Sequence, residues 1–238
     1  TLDILKTRAL PLNIKVEIGS ITRAPLPHHC FGALLQMPAQ DGSITDFTPW
    51  IEAAHEKNIL VAVATDLLAL TLFKSPGEMG ADVALGSSQR LGIPMGFGGP
   101  HAAFFATKDS LKRQIPGRII GVSKDKLGQV AYRMSLQTRE QHIRKEKATS
   151  NICTAQALLA TLAGMYAVYH GPEGLKQIAK GIYTQTSQVY RVLKGLGIQL
   201  NNDTFFDTLT LTLNTAQLNE IKQQAEAQEI NLRYIDEQ

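Results

Sequence analysis

The chain has 238 residues, 44% hydrophobic and 19% charged, with a formal net charge of +3 at pH 7. This length is ample for a real core and suits one large domain, or a domain with a smaller appendage. No apolar run nears the roughly 18 residues of a membrane span, and Ile59–Ala64 is among the longest. The two cysteines, Cys30 and Cys153, lie far apart without CxxC spacing, which points to neither a disulfide framework nor a zinc site and makes a reducing compartment the default.

In chain order, Ile14–Ile18 alternates and is β-branched, so it reads as a strand closed by Gly19. Phe31–Met37 reads as a more buried strand, and Asp41-Gly42-Ser43 as a turn. Phe47, Trp50, Ile51, Ala54 and His55 recur at helical spacing, predicting a helix from Phe47 to Lys57 that Asn58 ends. Ile59–Ala64 follows as an unbroken apolar run of the kind found in parallel strands covered on both faces. Thr65-Asp66 then leads into a short helix ending at Leu72, a turn at Ser75-Pro76-Gly77, and a strand at Asp82–Leu85. Alternation of short strands and helices predicts a three-layer α/β domain with a mainly parallel sheet. Ligands of such sheets sit at the carboxyl ends of strands, so Asp66 and the segment after Leu85 should border one crevice.

That segment is glycine-rich, Gly86-Ser87-Ser88-Gln89-Arg90-Leu91-Gly92-Ile93-Pro94-Met95-Gly96-Phe97-Gly98-Gly99-Pro100-His101, and a second strand-like run, Ala102–Ala106, follows it. Such a composition forms neither a helix interior nor a central strand. Amide groups in glycine-rich turns make concavities that suit phosphate or carboxylate, and a purely structural turn is the competing reading. Gly96-Phe97-Gly98-Gly99 lacks GxGxxG spacing and leads into a strand, so a dinucleotide fingerprint is disfavoured.

From Lys108 to Lys147 eleven Lys/Arg face four Asp/Glu, and Tyr132 is the only aromatic residue. Without interleaved stacking platforms, an anionic protein partner or cofactor phosphates fit this stretch better than nucleic acid, beside a merely solvated face. His142 has no second His, Cys or carboxylate at ligand spacing, so no metal site is expected. A largely apolar helix follows from about Ile152 to Tyr169, ended by Gly171-Pro172 and expected to be buried between domains. Pro172 opens another helix to about Lys194; strands are predicted at Ile198–Leu200, Phe206–Leu213 and Ile230–Ile235, and a helix at Ala216–Ala227. The expected division is a large domain over 1–150, then an interdomain helix and the start of a small α+β domain over 151–238. The sequence opens in what reads as a helix end and closes after a strand-like run, which suggests a fragment of a longer protein.

The strand, small polar residues and glycine loop ending in a returning strand resemble the cofactor-lysine loop of fold-type I pyridoxal 5'-phosphate enzymes. Gln89 stands where that lysine belongs. Ala81–His101, Gln114–Val122 and Leu136–Thr154 together resemble the glycine cleavage system P-protein family, in particular the later part of its amino-terminal half. The resemblance implies an aminotransferase-like fold-type I large domain. It also implies glycine dehydrogenase (decarboxylating) activity: pyridoxal phosphate withdraws electrons as glycine loses carbon dioxide, and the aminomethyl group passes to the lipoyl arm of the H-protein. The cofactor lysine then belongs to the carboxyl-terminal half or a partner subunit, and this segment alone is inactive. Asp66 matches the cofactor-ring aspartate by position, with a helix cap as its competing role. Gly98 and Gly99 resemble a phosphate-side loop offered across the interface, and Arg139, His142, Arg144 and Lys145 fall where a shared cleft or the lipoyl entrance is expected. The implied partners are the other half and the H-protein, indirectly the T- and L-proteins, in a homodimer or heterotetramer, with neither nucleic acid nor membrane. The implied location is the cytoplasm of a bacterium or the mitochondrial matrix of a eukaryote. Two alternatives stay open: a non-catalytic binding or regulatory subunit, and a different pyridoxal enzyme using Lys74 or Lys108.

Overall fold

The structure, a computed structural model, describes residues 2–21, 29–94, 96, 101–115, 119–136, 145–147 and 156–235. A short helix α1 (Leu2–Ala9) opens the chain, and Ile14–Ile18 joins no strand. Alternation alone predicted a strand there, but most of this stretch is exposed and no described strand pairs with it.

The chain then builds a four-stranded sheet in sequence order. Strands β1 (Gly32–Met37), β2 (Leu60–Thr65) and β3 (Val83–Ser87) run parallel, and β4 (Ala103–Thr107) returns antiparallel to β3. Helix α2 (Thr48–Glu56) starts with Pro49 in its first turn, where a missing amide costs nothing, and ends before Asn58 at φ 57°. Its Ile51 and Ala54 pack on Leu35, Met37, Val61 and Val63, the inward residues of a period-2 pattern. The opposite face carries Leu34 and Leu60, which stay exposed, so the expected cover on both faces is met on one only by the described residues.

Beyond the sheet, a hairpin pairs β5 (Ile119–Lys124) with β6 (Val130–Leu136) around Gly128 at φ 78°. Helix α3 (Gln156–Gly195) contains a non-helical residue, Gly171 (φ 61°, ψ 178°), followed by Pro172, so it is two helices joined at a break. The first half was expected to be buried, yet Leu158, Leu162, Met165 and Tyr169 are all exposed. Among the described residues a narrow face packs, with Leu159 and Ala163 against Leu91, Ile93 and Ala102 and Tyr166 against Gly92. Two short strands, β7 (Gln199–Leu200) and β8 (Leu211–Thr212), pair antiparallel, and α4 (Thr215–Ala227) starts from a reciprocal Asn214–Gln217 capping box. Phe206 lies outside any strand, and Ile230–Ile235 adopts none, since the helix end at Glu229 (φ 57°) leads into exposed chain.

Residues 201–212 are sewn onto the sheet domain. Thr204 Oγ1 donates to the Ile44 carbonyl, Ile44 N to the Thr204 carbonyl, and Thr210 Oγ1 to the Asp41 carbonyl, at 2.9, 3.2 and 2.8 Å. Phe206, fully buried, fills the space between Leu68, Ala69 and Ala179 of the second half of α3.

Candidate functional site

Parallel pairing of β2 with β3 puts Asp66 and the Ser87–Gln89 segment side by side at the carboxyl edge of the sheet. The two strands approach closely there because Gly86 has no side chain: a Cβ would collide with the Thr65 carbonyl oxygen and the Phe104 ring. Ser88, buried, directs both its amide (2.8 Å) and its hydroxyl (2.9 Å) to the Ala102 carbonyl, closing the neck of the glycine loop. Gln89 follows in a turn, its amide donating to Ser87 Oγ at 3.2 Å and its carbonyl accepting from Ile93 N at 3.3 Å. Gly92, at φ 74°, lies under the Tyr166 ring of α3, in a conformation and a space that admit only glycine.

Asp66 is doubly engaged. Its Oδ1 accepts from the amides of Leu68 (2.8 Å) and Ala69 (3.4 Å), closing the turn that leads into the 3-10 turn Ala69–Thr71, whose own N-cap residue is Leu68. Its Oδ2 accepts from Arg90 Nε at 2.7 Å, and the side chain is 13% exposed. Arg90 also donates from Nη2 to Asp207, and its guanidinium carbon stands 5.9 Å from the centroid of the Phe206 ring. Burial pulls the Arg90 pKa down, but Asp66 and Asp207 outweigh it, holding the group above its ordinary value. Close by, the Thr65 hydroxyl is buried without a hydrogen-bond partner among the described residues.

At the opposite edge of the sheet lies a second cluster. Asp82 accepts from Val61 N (2.8 Å) and Lys108 Nζ (2.7 Å), and its Oδ2 stands 2.9 Å from His55 Nε2. Burial raises the Asp82 pKa, but the Lys108, Val61 and His55 contacts together bring it below the ordinary carboxylate range. Lys108 also donates to the Gly80 carbonyl, and Lys74 donates to Asp46 and Thr48. Both lysines are thus committed elsewhere, and Lys108 lies across the sheet from the crevice.

Sequence reasoning correctly brought Asp66 and Gln89 to one edge. Gly98, Gly99, Arg139, His142 and Arg144 lie outside the described residues, while Lys145, exposed, opens a turn of 3-10 helix at φ 53°. Asp207 and Phe206 were missed as site residues, and Arg90 was read only as a poor nucleophile. The residues of this crevice do not fit a lysine-bound pyridoxal phosphate: Gln89 offers an amide in place of an amine, and the charge of Asp66 is already paired with Arg90.

The sequence matches the family described as Glycine cleavage system P-protein over residues 1–238. A glycine dehydrogenase (decarboxylating) from Thermosynechococcus vestitus is 57% identical over 238 residues, covering 100% of this chain and 25% of that protein. One from Photobacterium profundum is 57% identical over 239 residues, with the same coverage. The chain therefore spans about a quarter of the length of these curated relatives. A crystal structure of glycine decarboxylase (P-protein) of the glycine cleavage system, in inhibitor-bound form, has a TM-score of 0.82 at 34% identity, over 95% of this chain and 53% of that one. An aspartate aminotransferase from Thermus thermophilus has a TM-score of 0.53 at 19% identity, over 82% of this chain and 53% of that one, a likeness of fold alone. The sheet is accordingly of the fold-type I, aminotransferase-like α/β class.

Proposed function

Because the chain belongs to the glycine cleavage system P-protein family, we propose that it is a part of a glycine decarboxylase without the cofactor lysine, which lies elsewhere in the enzyme. The single observation that carries this reading is Gln89 in the turn just after β3, where an amide stands in place of a nucleophilic amine. In the whole enzyme, pyridoxal phosphate would supply the electron withdrawal that lets glycine lose its carboxylate. This chain contributes a rigid sheet edge and interface. Gly98 and Gly99 are proposed to approach the other half's cofactor phosphate, which a side chain would obstruct.

The basic stretch from Lys108 to Lys147 supports a second element of the proposal, docking of an acidic lipoyl-bearing carrier such as the H-protein. Exposed charges of this kind act by steering and are screened over about 8–10 Å at physiological salt. The proposed location is the cytoplasm if the source is a bacterium and the mitochondrial matrix if it is a eukaryote.

The test uses the complete polypeptide that contains this chain. Borohydride reduces the C=N bond formed when a lysine amine and the cofactor aldehyde condense with loss of water, fixing the label for peptide mapping. Stoichiometric label is expected outside residues 1–238. Stoichiometric label on a lysine within this chain, accompanied by glycine turnover, would refute the reading.

A further inference from the structure

The crevice at the carboxyl edge of the sheet is the place where a fold-type I enzyme keeps its cofactor, and here Arg90 bridges it from Asp66 to Asp207. We infer that the Asp66–Arg90–Asp207 bridge is a clasp that has taken over the acidic position of this crevice, excluding pyridoxal phosphate from it and holding residues 201–212 on the sheet. The inference rests on the fold-type I reading of the crevice.

Three observations converge on it. An acid that is to partner a protonated cofactor ring nitrogen must offer its charge to that ring, but Oδ1 of Asp66 already accepts from two backbone amides and Oδ2 is paired with the Arg90 guanidinium, whose positive charge opposes a second cation at the same oxygen. A ring cation would have to share Oδ2 with the guanidinium or displace it, and displacement would leave Arg90 with Asp207 alone. Second, the guanidinium suits this task because its planar fork presents separate N–H groups to two carboxylates at once, which an ammonium point charge does poorly. Nε faces Asp66 and Nη2 faces Asp207. Third, the far end of the clasp is built in: Asp207 follows the fully buried Phe206 and precedes Thr208, whose carbonyl accepts from the buried Asn202. Gly42, at φ 92°, lies so close to the Thr208 carbonyl that any side chain there would push this segment away. The loss of the lysine and the capture of the aspartate are therefore two separate departures from a cofactor site.

The complete polypeptide is compared as Gln89→Lys and as Gln89→Lys with Arg90→Ser, each titrated with pyridoxal phosphate, reduced with borohydride and mapped. The single substitution is expected to leave position 89 nearly unlabelled, and the double substitution to raise label there about tenfold or more, as freeing a charged hydrogen-bond acceptor implies. Equal label at position 89 in both variants, at any level, overturns the exclusion. Amide exchange in β2 and β3 reports whether each variant is folded. For the clasp, Arg90→Gln is expected to speed amide exchange within residues 201–212 about tenfold while β1 to β3 stay protected, with Arg90→Lys in between. Unchanged exchange in that segment overturns the clasp. Label missing from the rest of the wild-type polypeptide would defeat the proposed function but would leave the comparison at position 89 standing.

Discussion

The two edges of the one sheet carry two charge clusters that look alike and work differently. At the amino edge, Asp82 gathers groups from α2, β2 and the end of β4, all close neighbours in the layer. At the carboxyl edge, Arg90 joins Asp66 to Asp207, a residue 117 positions away. The first cluster satisfies a buried carboxylate and a strand amide within one layer; the second fastens a later part of the chain to that layer. Burial of the central acid, not the number of charges, decides which cluster the sheet itself depends on.

The largest effect is expected from breaking the amino-edge cluster. Asp82→Ala should cost about 3 kcal/mol in chemical denaturation, because the Val61 amide loses its buried acceptor and Lys108 and His55 lose their partner. A loss below about 1 kcal/mol would make it no more than a surface pair. Asp207→Ala at the other edge should cost about 1–2 kcal/mol, since Arg90 is 41% exposed and retains Asp66. Its loss should be concentrated in the packing of Phe206, seen as changed near-ultraviolet dichroism.

Acid sharpens the contrast. The Asp82 carboxyl is held below its ordinary value, so its stabilisation is fully present above the unfolded value of about 4 and is lost as pH falls through the folded value. Wild type should therefore lose stability below about pH 4 more steeply than Asp82→Asn, which has no carboxylate to protonate there. Identical acid slopes would remove Asp82 from the account. The smallest effect belongs to an ion pair outside both clusters: Lys112→Ala, which removes the exposed contact to Asp109, should change stability by less than about 0.5 kcal/mol.

The local layer was legible in the sequence because its signals are local. Apolar runs bounded by turn residues gave β1 to β4 and α2 within a residue or two, and Gly171-Pro172 marked the break in α3. Alternation over-reached at Ile14–Ile18 and Ile230–Ile235, where the pattern exists but no strand among the described residues pairs with it. The β5–β6 hairpin was missed for the opposite reason: Ile120, Val122, Tyr132 and Met134 share one face, but Gly121, Ser123, Arg133 and Ser135 interrupt the runs and that face is exposed. In the candidate site, Asp66 and Gln89 were readable from strand-end position alone. The pairing of Arg90 with Asp207 was not, since nothing in one sequence registers an acid with a base so far along the chain.

The antiparallel return of β4 has a consequence for the order of assembly. It delivers the chain to the amino edge, where Lys108 meets Asp82, while Tyr166, Phe206 and Asp207 must all find the carboxyl edge again. Strands β1 to β3 and α2 close short loops. Joining Asp207 to Arg90 closes one of 117 residues, at an entropic cost of about 4 kcal/mol on simple chain statistics. Contacts of such sequence separation repay that cost only after the layer beneath them exists. The carboxyl edge is therefore expected to be completed last in folding and released first in unfolding, leaving the three parallel strands as the kinetic kernel of the molecule.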